Sequence, residues 1–339
     1  MNPPSYWEHR QQLLNTLRGY RPAQTLITCA ELGVFEALAD SPRTAEDLIS
    51  ALGATMRGLT VLLNAAVALD LLEKRDGRYA NSPLAMACLA RPGTEGYIGN
   101  FIKREGAFLR RWSNLTQAVR TGERPEENRR DEDPEDWVRG FELALYELAR
   151  SVAPAIAEAL ALPEDDRPLR VIDVGGGHGG YSLALARRYP NLTATIFELP
   201  RVVPVARDII ADEGLADRVC VQEGNFQTDD LGTGYDVALL FGVMVGEAPE
   251  GRAALIKKAS TALNPGGRIV VREFMLDPDR TGPPESALFA LQMLLATDSG
   301  GVSATDDMRR WLLDAGFASP QTLALPAWTG STLFVAERL

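Results

Sequence analysis

The stretch Val171-Ile172-Asp173-Val174-Gly175-Gly176-Gly177-His178-Gly179-Gly180-Tyr181 constrains this chain more than any other: an apolar run ends in an acid and then breaks into glycines. Such a run reads as a buried strand feeding a tight turn. Glycine lets the turn adopt positive φ and lets a ligand approach the backbone closely. A helix starting after the turn offers N–H groups without intrahelical partners. A second short apolar run, Ala194-Thr195-Ile196-Phe197, closes on Glu198, and an acid at the tip of the next strand suits the two hydroxyls of a ribose. The pattern predicts a site for an adenosine-containing ligand.

The residue before the glycines selects among such ligands. Dinucleotide sites aim a helix N-terminus at a pyrophosphate, and a carboxylate beside the turn, as Asp173 is, would repel that group. A carboxylate suits an ammonium or a sulfonium instead. The expected cofactor is therefore S-adenosyl-L-methionine, the alternatives being a nicotinamide dinucleotide and a structural turn that binds nothing.

At 339 residues, 45% of them hydrophobic, the chain is long enough for about two domains with cores of their own. A net charge of -11 argues against an extended surface for phosphate backbones, so no nucleic-acid partner is expected. The three cysteines, Cys29, Cys88 and Cys220, show no metal-ligand spacing and suggest buried free thiols in a reducing compartment, with no bound metal. No apolar run approaches the ~20 residues of a membrane span, and the N-terminus lacks the apolar core of a signal peptide. The expected location is cytoplasmic.

Two textures divide the chain. In the first, Ile27, Ala30, Val34 and Leu38 recur at helical spacing, Thr44 with Asp47 forms a capping box, and Thr55 caps a helix carrying Leu59, Leu62, Leu63 and Ala66. Asp76-Gly77 between short strands is a hairpin signal. Three helices and a hairpin make a winged helix. Its hairpin carries Lys74, Arg75 and Arg78, but its third helix presents little beyond Arg57 to read bases, so a subunit-pairing role is preferred over DNA binding. Helices are expected around 106–120 and 135–162, separated by the charged run 123–134, read as a solvated loop. After Arg170 strands and helices alternate, with strands at 170–174, 194–197, 219–222, 236–240 and 268–272. Asn264-Pro265-Gly266-Gly267 is the turn feeding the fifth. Two last strands, 321–325 and 332–336, are expected to pair across Trp328-Thr329-Gly330. The fold class is thus α/β: a C-terminal Rossmann-like parallel sheet with an antiparallel edge hairpin, preceded by an α-helical winged-helix domain. The expected divisions are 1–100, linking helices 101–165, and 166–339.

These motifs together resemble the class I S-adenosylmethionine-dependent small-molecule O-methyltransferases of plant phenylpropanoid and bacterial polyketide pathways. The likeness covers nearly the whole chain through the ELGVFEAL helix (31–38), Val171–Gly180, Phe197-Glu198-Leu199-Pro200, Asn264–Gly267 and Trp311–Phe317. It implies a dimerisation role for the N-terminal domain and hence a homodimer. It implies that Asp173, Gly175 and Gly177 line the methionine and ribose of the cofactor, that Glu198 takes the ribose hydroxyls, and that Asn225, Phe226 and Phe241 complete the cofactor site. For the small-molecule substrate it implies a cleft walled by Phe108, Trp112, Leu145, Met244, Phe289, Met293 and Asp298.

Two departures from the family pattern bear on chemistry. Asn225 replaces an acid facing the adenine, though its amide carbonyl also accepts a hydrogen bond. More consequentially, Val245 stands at the position of the catalytic histidine, Gly246 at its aspartate, and Ser303 at a later acid. The chain has two histidines, His9 in the N-terminal arm and His178 within the glycine turn, neither readily a replacement. Glu247, Glu273 and Asp298 remain as carboxylates near the expected site, with Tyr146 a possible donor. A general base contributes about 10²–10⁴-fold, whereas alignment of the reactants contributes roughly 7–11 kcal/mol. Alignment and desolvation therefore suffice for an acceptor that is already nucleophilic: a phenolate of low pKa, an electron-rich ring carbon or a neutral amine. The expected function is methyl transfer to an oxygen, carbon or nitrogen of an aromatic or polyketide-like molecule. A non-methylating member of the family and a non-catalytic regulatory dimer remain open.

Overall fold

The computed structural model describes residues 5–128, 135–163, 166–323, 325 and 332–339, which fall into two units, Met1–Leu109 and Arg110–Leu339. The helices expected as a separate link divide between them. Gly99–Trp112 falls almost wholly in the first, and Leu115–Thr121 and Glu135–Ala159 fall in the second.

In the first unit the stripe Ile27, Ala30, Val34 and Leu38 does not lie on one helix. Gly33, at φ +76°, ends the helix Tyr20–Leu32, and the short helix Val34–Ala37 restarts at once. All four side chains are still buried, because the break redirects the chain around one core. Thr44 and Asp47 cap each other reciprocally, with bonds of 2.9 and 3.2 Å, at the start of Ala45–Leu52. Thr55 Oγ1 accepts from Gly58 N at the head of Met56–Ala68. The hairpin pairs β1 (Leu72–Arg75) with β2 (Arg78–Asn81), and Asp76 and Gly77 both take positive φ, as a two-residue hairpin turn of matching twist requires. Phe35, Leu48, Leu59, Leu63 and Tyr79 fill the core between these elements. The helix Tyr6–Arg18 buries none of its residues, leaving Tyr6, Trp7, Leu13 and Leu17 exposed.

The second unit is a seven-stranded sheet ordered β10-β11-β7-β6-β3-β4-β5. The strands β3 (Leu169–Val174), β4 (Leu192–Glu198), β5 (Val219–Glu223), β6 (Tyr235–Phe241) and β7 (Leu263–Glu273) run parallel. The short pair β8 (Met275–Leu276) and β9 (Ser303–Ala304) lies apart. The hairpin strands β10 (Phe317–Leu323) and β11 (Thr332–Arg338) close one edge antiparallel, with β11 against β7. Between them, Trp328-Thr329-Gly330 lies outside the described residues, as do 129–134 of the charged run. Asn264–Gly267 sits where the β6–β7 register jumps between Tyr235 and Val237, so the expected turn forms an irregularity at the head of β7.

β3 is buried on both faces because helices cover both. One core contains Val171, Leu183, Ile196, Leu239 and Val270, and the other contains Ile172, Phe197, Leu240, Ile256 and Val271. Each fully buried Leu, Ile or Phe among them contributes roughly 1.5–3 kcal/mol. The chain steps outward from β3 to β5 and then returns to β6 on the other side of β3, so the carboxyl ends of β3 and β6 flank the crevice where sheets of this kind bind ligands.

No single helix among the described residues is long and apolar enough to cross a membrane. Of the three thiols only Cys29 is buried, with its pKa pushed up to about 12 by burial. Cys88 is half-buried and Cys220 exposed, which corrects the expectation of three buried thiols. Cys220 lies on β5, the outermost parallel strand, which pairs with a neighbouring strand on one edge only.

Candidate active site

The turn after β3 holds three glycines at positive φ, Gly175 at 66°, Gly177 at 50° and Gly179 at 72°, a backbone that side chains other than glycine strain to adopt. The packing leaves no room for a Cβ either. One at Gly176 would lie 2.5 Å from the Asp173 carboxyl carbon, and one at Gly177 would lie 2.5 Å from Glu142 Oε2. A Cβ at Gly175 would strike Val243, from the loop after β6. The turns following β3 and β6 therefore touch, as the strand order demands.

Three buried carboxylates surround this turn. Asp173, 1% exposed, accepts from Ser182 Oγ through Oδ2 at 2.7 Å, while Oδ1 is buried with no hydrogen-bond partner. Burial pushes its pKa up to about 7, opposed by the Ser182 bond and reinforced by the charge of Glu198. Glu198 is fixed by two backbone donors, Gly177 N to Oε2 at 3.0 Å and Leu199 N to Oε1 at 2.7 Å. Burial raises its pKa against those bonds. The third is Glu142, on the helix Glu135–Ala159, buried over Gly177. Sequence reasoning missed it, because only the packing of that helix on the turn brings it there. Its one signal was an acid on an otherwise apolar helix face with Leu145 and Ala149.

Carboxylates gathered in low dielectric without solvent favour a cation. An unpartnered oxygen on Asp173 and a Glu198 held by two N–H groups fit the ammonium and ribose hydroxyls of S-adenosylmethionine. They do not fit a pyrophosphate.

His178 is buried and accepts from Gly180 N through Nδ1 at 2.9 Å. Burial, followed by the charge of Arg272, lowers its pKa to about 3. It is a neutral ring packed between Tyr146 and Tyr181, at 5.8 and 5.9 Å, and its basic nitrogen is already engaged. Tyr146 bonds Glu213. Asn225 Oδ1 accepts from Gln227 N at 2.9 Å, closing a local turn; the oxygen expected to face an adenine is therefore already an acceptor within its own loop. Phe226 packs against the second core. Phe241 meets Tyr181 edge-on at 4.9 Å.

After β6, the 3-10 turn Met244–Gly246 carries Val245. Met244 is core, its N–H donating to Glu273 Oε1 at 3.0 Å and its carbonyl accepting from Arg252 Nε at 3.0 Å. Arg252 also donates to Ser303 Oγ and Gly301 O, and Gly301 N bonds the Val245 carbonyl at 2.9 Å. Ser303 thus anchors an arginine. Of the three candidate carboxylates, Asp298 pairs with Arg124 at 3.1 Å and Glu247 takes both its bonds from Gln227 at 2.9 and 3.0 Å. Glu273 alone keeps a buried oxygen, Oε2, without a partner. With Val245, Phe274 and Ser303 it lines a cavity of about 10 Å³, the volume of about one water. Burial pushes its pKa up to about 8, against the Met244 bond and the charges of Arg252 and Arg272.

The Phe289 ring lies 4.5 Å from that of Phe274, tilted by 40°, Met293 is buried, and Trp112 and Leu145 are half-buried. Phe108 belongs to the first unit, buried with the Arg104 guanidinium over its ring at 5.1 Å. His9 lies exposed on the first helix.

Comparison with known proteins follows the same lines. The O-methyltransferase domain family matches residues 147–318, and the O-methyltransferase dimerisation domain family matches residues 14–91. The chain is 32% identical to the 3-hydroxy-5-methyl-1-naphthoate 3-O-methyltransferase of Streptomyces sahachiroi, over 92% of this chain and 90% of that one. It is 30% identical to the N,N-dimethyltransferase OxyT of Streptomyces rimosus, over 97% and 96%. Among solved structures it is similar to human N-acetylserotonin methyltransferase in complex with SAM, with a TM-score of 0.87, 27% identity and coverage of 100% and 99%.

Proposed function

We propose, from the premise that this chain belongs to the O-methyltransferase family and is an S-adenosylmethionine-dependent methyltransferase, that it methylates an aromatic or polyketide-like small molecule by alignment and desolvation, without an imidazole base. The observation that carries this reading is the pairing of a cation-seeking turn with a vacant base position. Asp173 Oδ1 stands buried and unpartnered beside the glycines, and Val245 on the turn after β6, at the position that the family resemblance gives to the histidine, carries no group that accepts a proton.

In this reading Asp173 holds the donor's ammonium, Glu198 its ribose hydroxyls, and Glu142 adds to the negative field over Gly177. The bound donor supplies a methyl group already activated by a sulfonium. The chain's own contribution is to hold the acceptor in line with that methyl and to keep water out, which the apolar lining by Phe274, Phe289 and Met293 serves. Glu273 is a neutral acid at pH 7, so its free oxygen is suited to donate a hydrogen bond to an acceptor oxygen and not to remove a proton. Acceptors that arrive ionised, or that are amines, are therefore favoured. That the named relatives act at oxygen in one case and nitrogen in another accords with a site whose chemistry lies in placement.

We further read the exposed Tyr6, Trp7, Leu13 and Leu17, just before and at the start of the dimerisation domain, as the surface by which two copies pair, and we place the dimer in the cytoplasm. The deciding experiment incubates the protein with S-adenosylmethionine and a panel of hydroxynaphthoates, acidic phenols, aliphatic alcohols and amines, following S-adenosylhomocysteine release and product mass. Methylation of acidic phenols or amines with inert alcohols is expected. Donor binding with no turnover across the panel would sink the proposal.

A further inference from the structure

Arg272 sits at the tip of β7, in register with Phe241 of β6 on one side and Leu333 of β11 on the other. Strand alternation places it on the face of Val270 and Phe241, toward the glycine turn, and places its neighbour Glu273 on the opposite face. The two adjacent side chains therefore do not pair. The Arg272 guanidinium lies 5.4 Å from the centre of the Tyr181 ring and makes no hydrogen bond or ion pair with any described residue. Its Nε is buried without an acceptor. A guanidinium carries five donors, and leaving a buried one unmade is costly. The buried side chains described at the turn, Asp173, Glu198 and Glu142, are acids, and of the surrounding cations Arg201 acts on Glu198.

Tyr181 connects this cation to the acids. The Arg272 guanidinium lies over the Tyr181 ring and Ser182, the next residue, bonds Asp173; burial raises the Tyr181 pKa, the charge of Arg272 lowers it and that of Asp173 raises it, so one ring lies within reach of both groups. Around that ring stand His178 of the turn, at 5.9 Å, and Phe241, at 4.9 Å. A buried acceptor without a donor on one side and a buried donor without an acceptor on the other is the complement of an amino-acid zwitterion.

We propose that Arg272 binds the carboxylate of the methyl donor's amino-acid end, as Asp173 binds its ammonium. The assignment rests on the donor reading above and adds to it a residue that the glycine motif does not include. It also gives a use to a buried donor that otherwise goes unmet.

The test compares affinities, measured by calorimetry, for S-adenosylmethionine, its decarboxylated form and 5′-methylthioadenosine, which lacks the whole amino-acid end. The acids alone would favour the decarboxylated form, whose net charge is more positive. With Arg272 on the carboxylate, the wild type prefers S-adenosylmethionine by about 10–100-fold, the range of a charge-assisted pair. Arg272→Gln abolishes most of that preference, Arg272→Lys restores part of it, and 5′-methylthioadenosine binds both variants as it binds the wild type, which also reports that they are folded. A wild type without the preference, or an Arg272→Gln protein that keeps it, overturns the assignment. So does unchanged donor selectivity in Arg272→Gln with weaker binding of a carboxylate-bearing acceptor. A wild type that binds none of the three removes the donor reading itself.

Discussion

Ser182 Oγ donates to Asp173 Oδ2 at 2.7 Å across the first turn of the helix Gly180–Arg188, and this bond fixes the carboxylate so that its other oxygen is left buried and unpartnered. The strand supplies the acid, the helix supplies the hydroxyl, and Gly176 leaves the gap in which the carboxyl lies. A carboxyl held in this way is a poor anion until a cation arrives.

Donor binding should therefore expel a proton. Asp173 keeps its proton up to about pH 7, and an ammonium beside it favours the ionised form, so the affinity for S-adenosylmethionine should climb as pH rises from 6 and level off above 7. The slope approaches tenfold per pH unit below the Asp173 pKa. Calorimetry at pH 6 and 8, in buffers of different ionisation enthalpy, measures both the affinity and the proton released. Equal affinities with no proton release would show that Asp173 does not meet a cation.

The same residue should lower stability in alkali. A carboxyl whose folded pKa stands above its unfolded value binds its proton more tightly when folded. The stabilising effect of that proton is complete below about pH 4 and declines as pH rises to about 7. Asp173→Asn keeps the Ser182 contact without the charge. It should raise the melting temperature at pH 8, by about 2–4 °C for each kcal/mol recovered, while weakening donor binding about tenfold or more. A variant less stable than the wild type at pH 8 would assign Asp173 a structural role.

How far the sequence foretells these features depends on whether their cause is local. The five parallel strands, the reciprocal Thr44–Asp47 cap, the Asp76-Gly77 turn and the β10–β11 pairing all arise from residues near one another in the chain, and each stands within a few residues of its expected place. Asp173 and Glu198 are legible for the same reason, since strand tips and turns have a fixed geometry. Glu142 and Arg272 are not. Their meaning comes from a helix packing back on a turn and from two strands in register, and neither relationship leaves a spacing in the sequence. The break at Gly33 was hidden because helical periodicity continues through it, the core being shared by both helices. The engagement of Asn225 by Gln227 was hidden because a side chain's local partner competes with its ligand.

Glu273 should tolerate loss of its charge. Burial pushes its pKa up to about 8, so at pH 7 it resembles an amide in charge, and Glu273→Gln can still accept from Met244 N. Turnover at pH 7 should stay within about threefold of the wild type, a difference well below the ~10²-fold that removal of a working base costs. Stability at pH 9 should rise in the variant, because the buried wild-type carboxyl is forced to ionise there. A pH 7 rate lowered ~100-fold or more would instead make the ionised carboxylate the proton acceptor.

Val245→His tests the vacant position directly. Val245 is half-buried on the 3-10 turn, its carbonyl tied to Gly301 N and its neighbour Met244 tied to Glu273, so the backbone that would present an imidazole is already fixed from two sides. Glu273 lines the same small cavity. It would ionise beside an imidazolium, and its charge would raise the imidazole's basicity. If the wild type works without a base, as proposed, the variant should turn over weakly acidic phenols about 10²-fold faster at pH 7 and should change little for acceptors already ionised. Plotting the ratio of variant to wild-type rates against acceptor pKa gives the measurement: a ratio that grows with acceptor pKa is expected. A ratio flat at unity would mean that the acceptor atom lies elsewhere than beside the turn after β6.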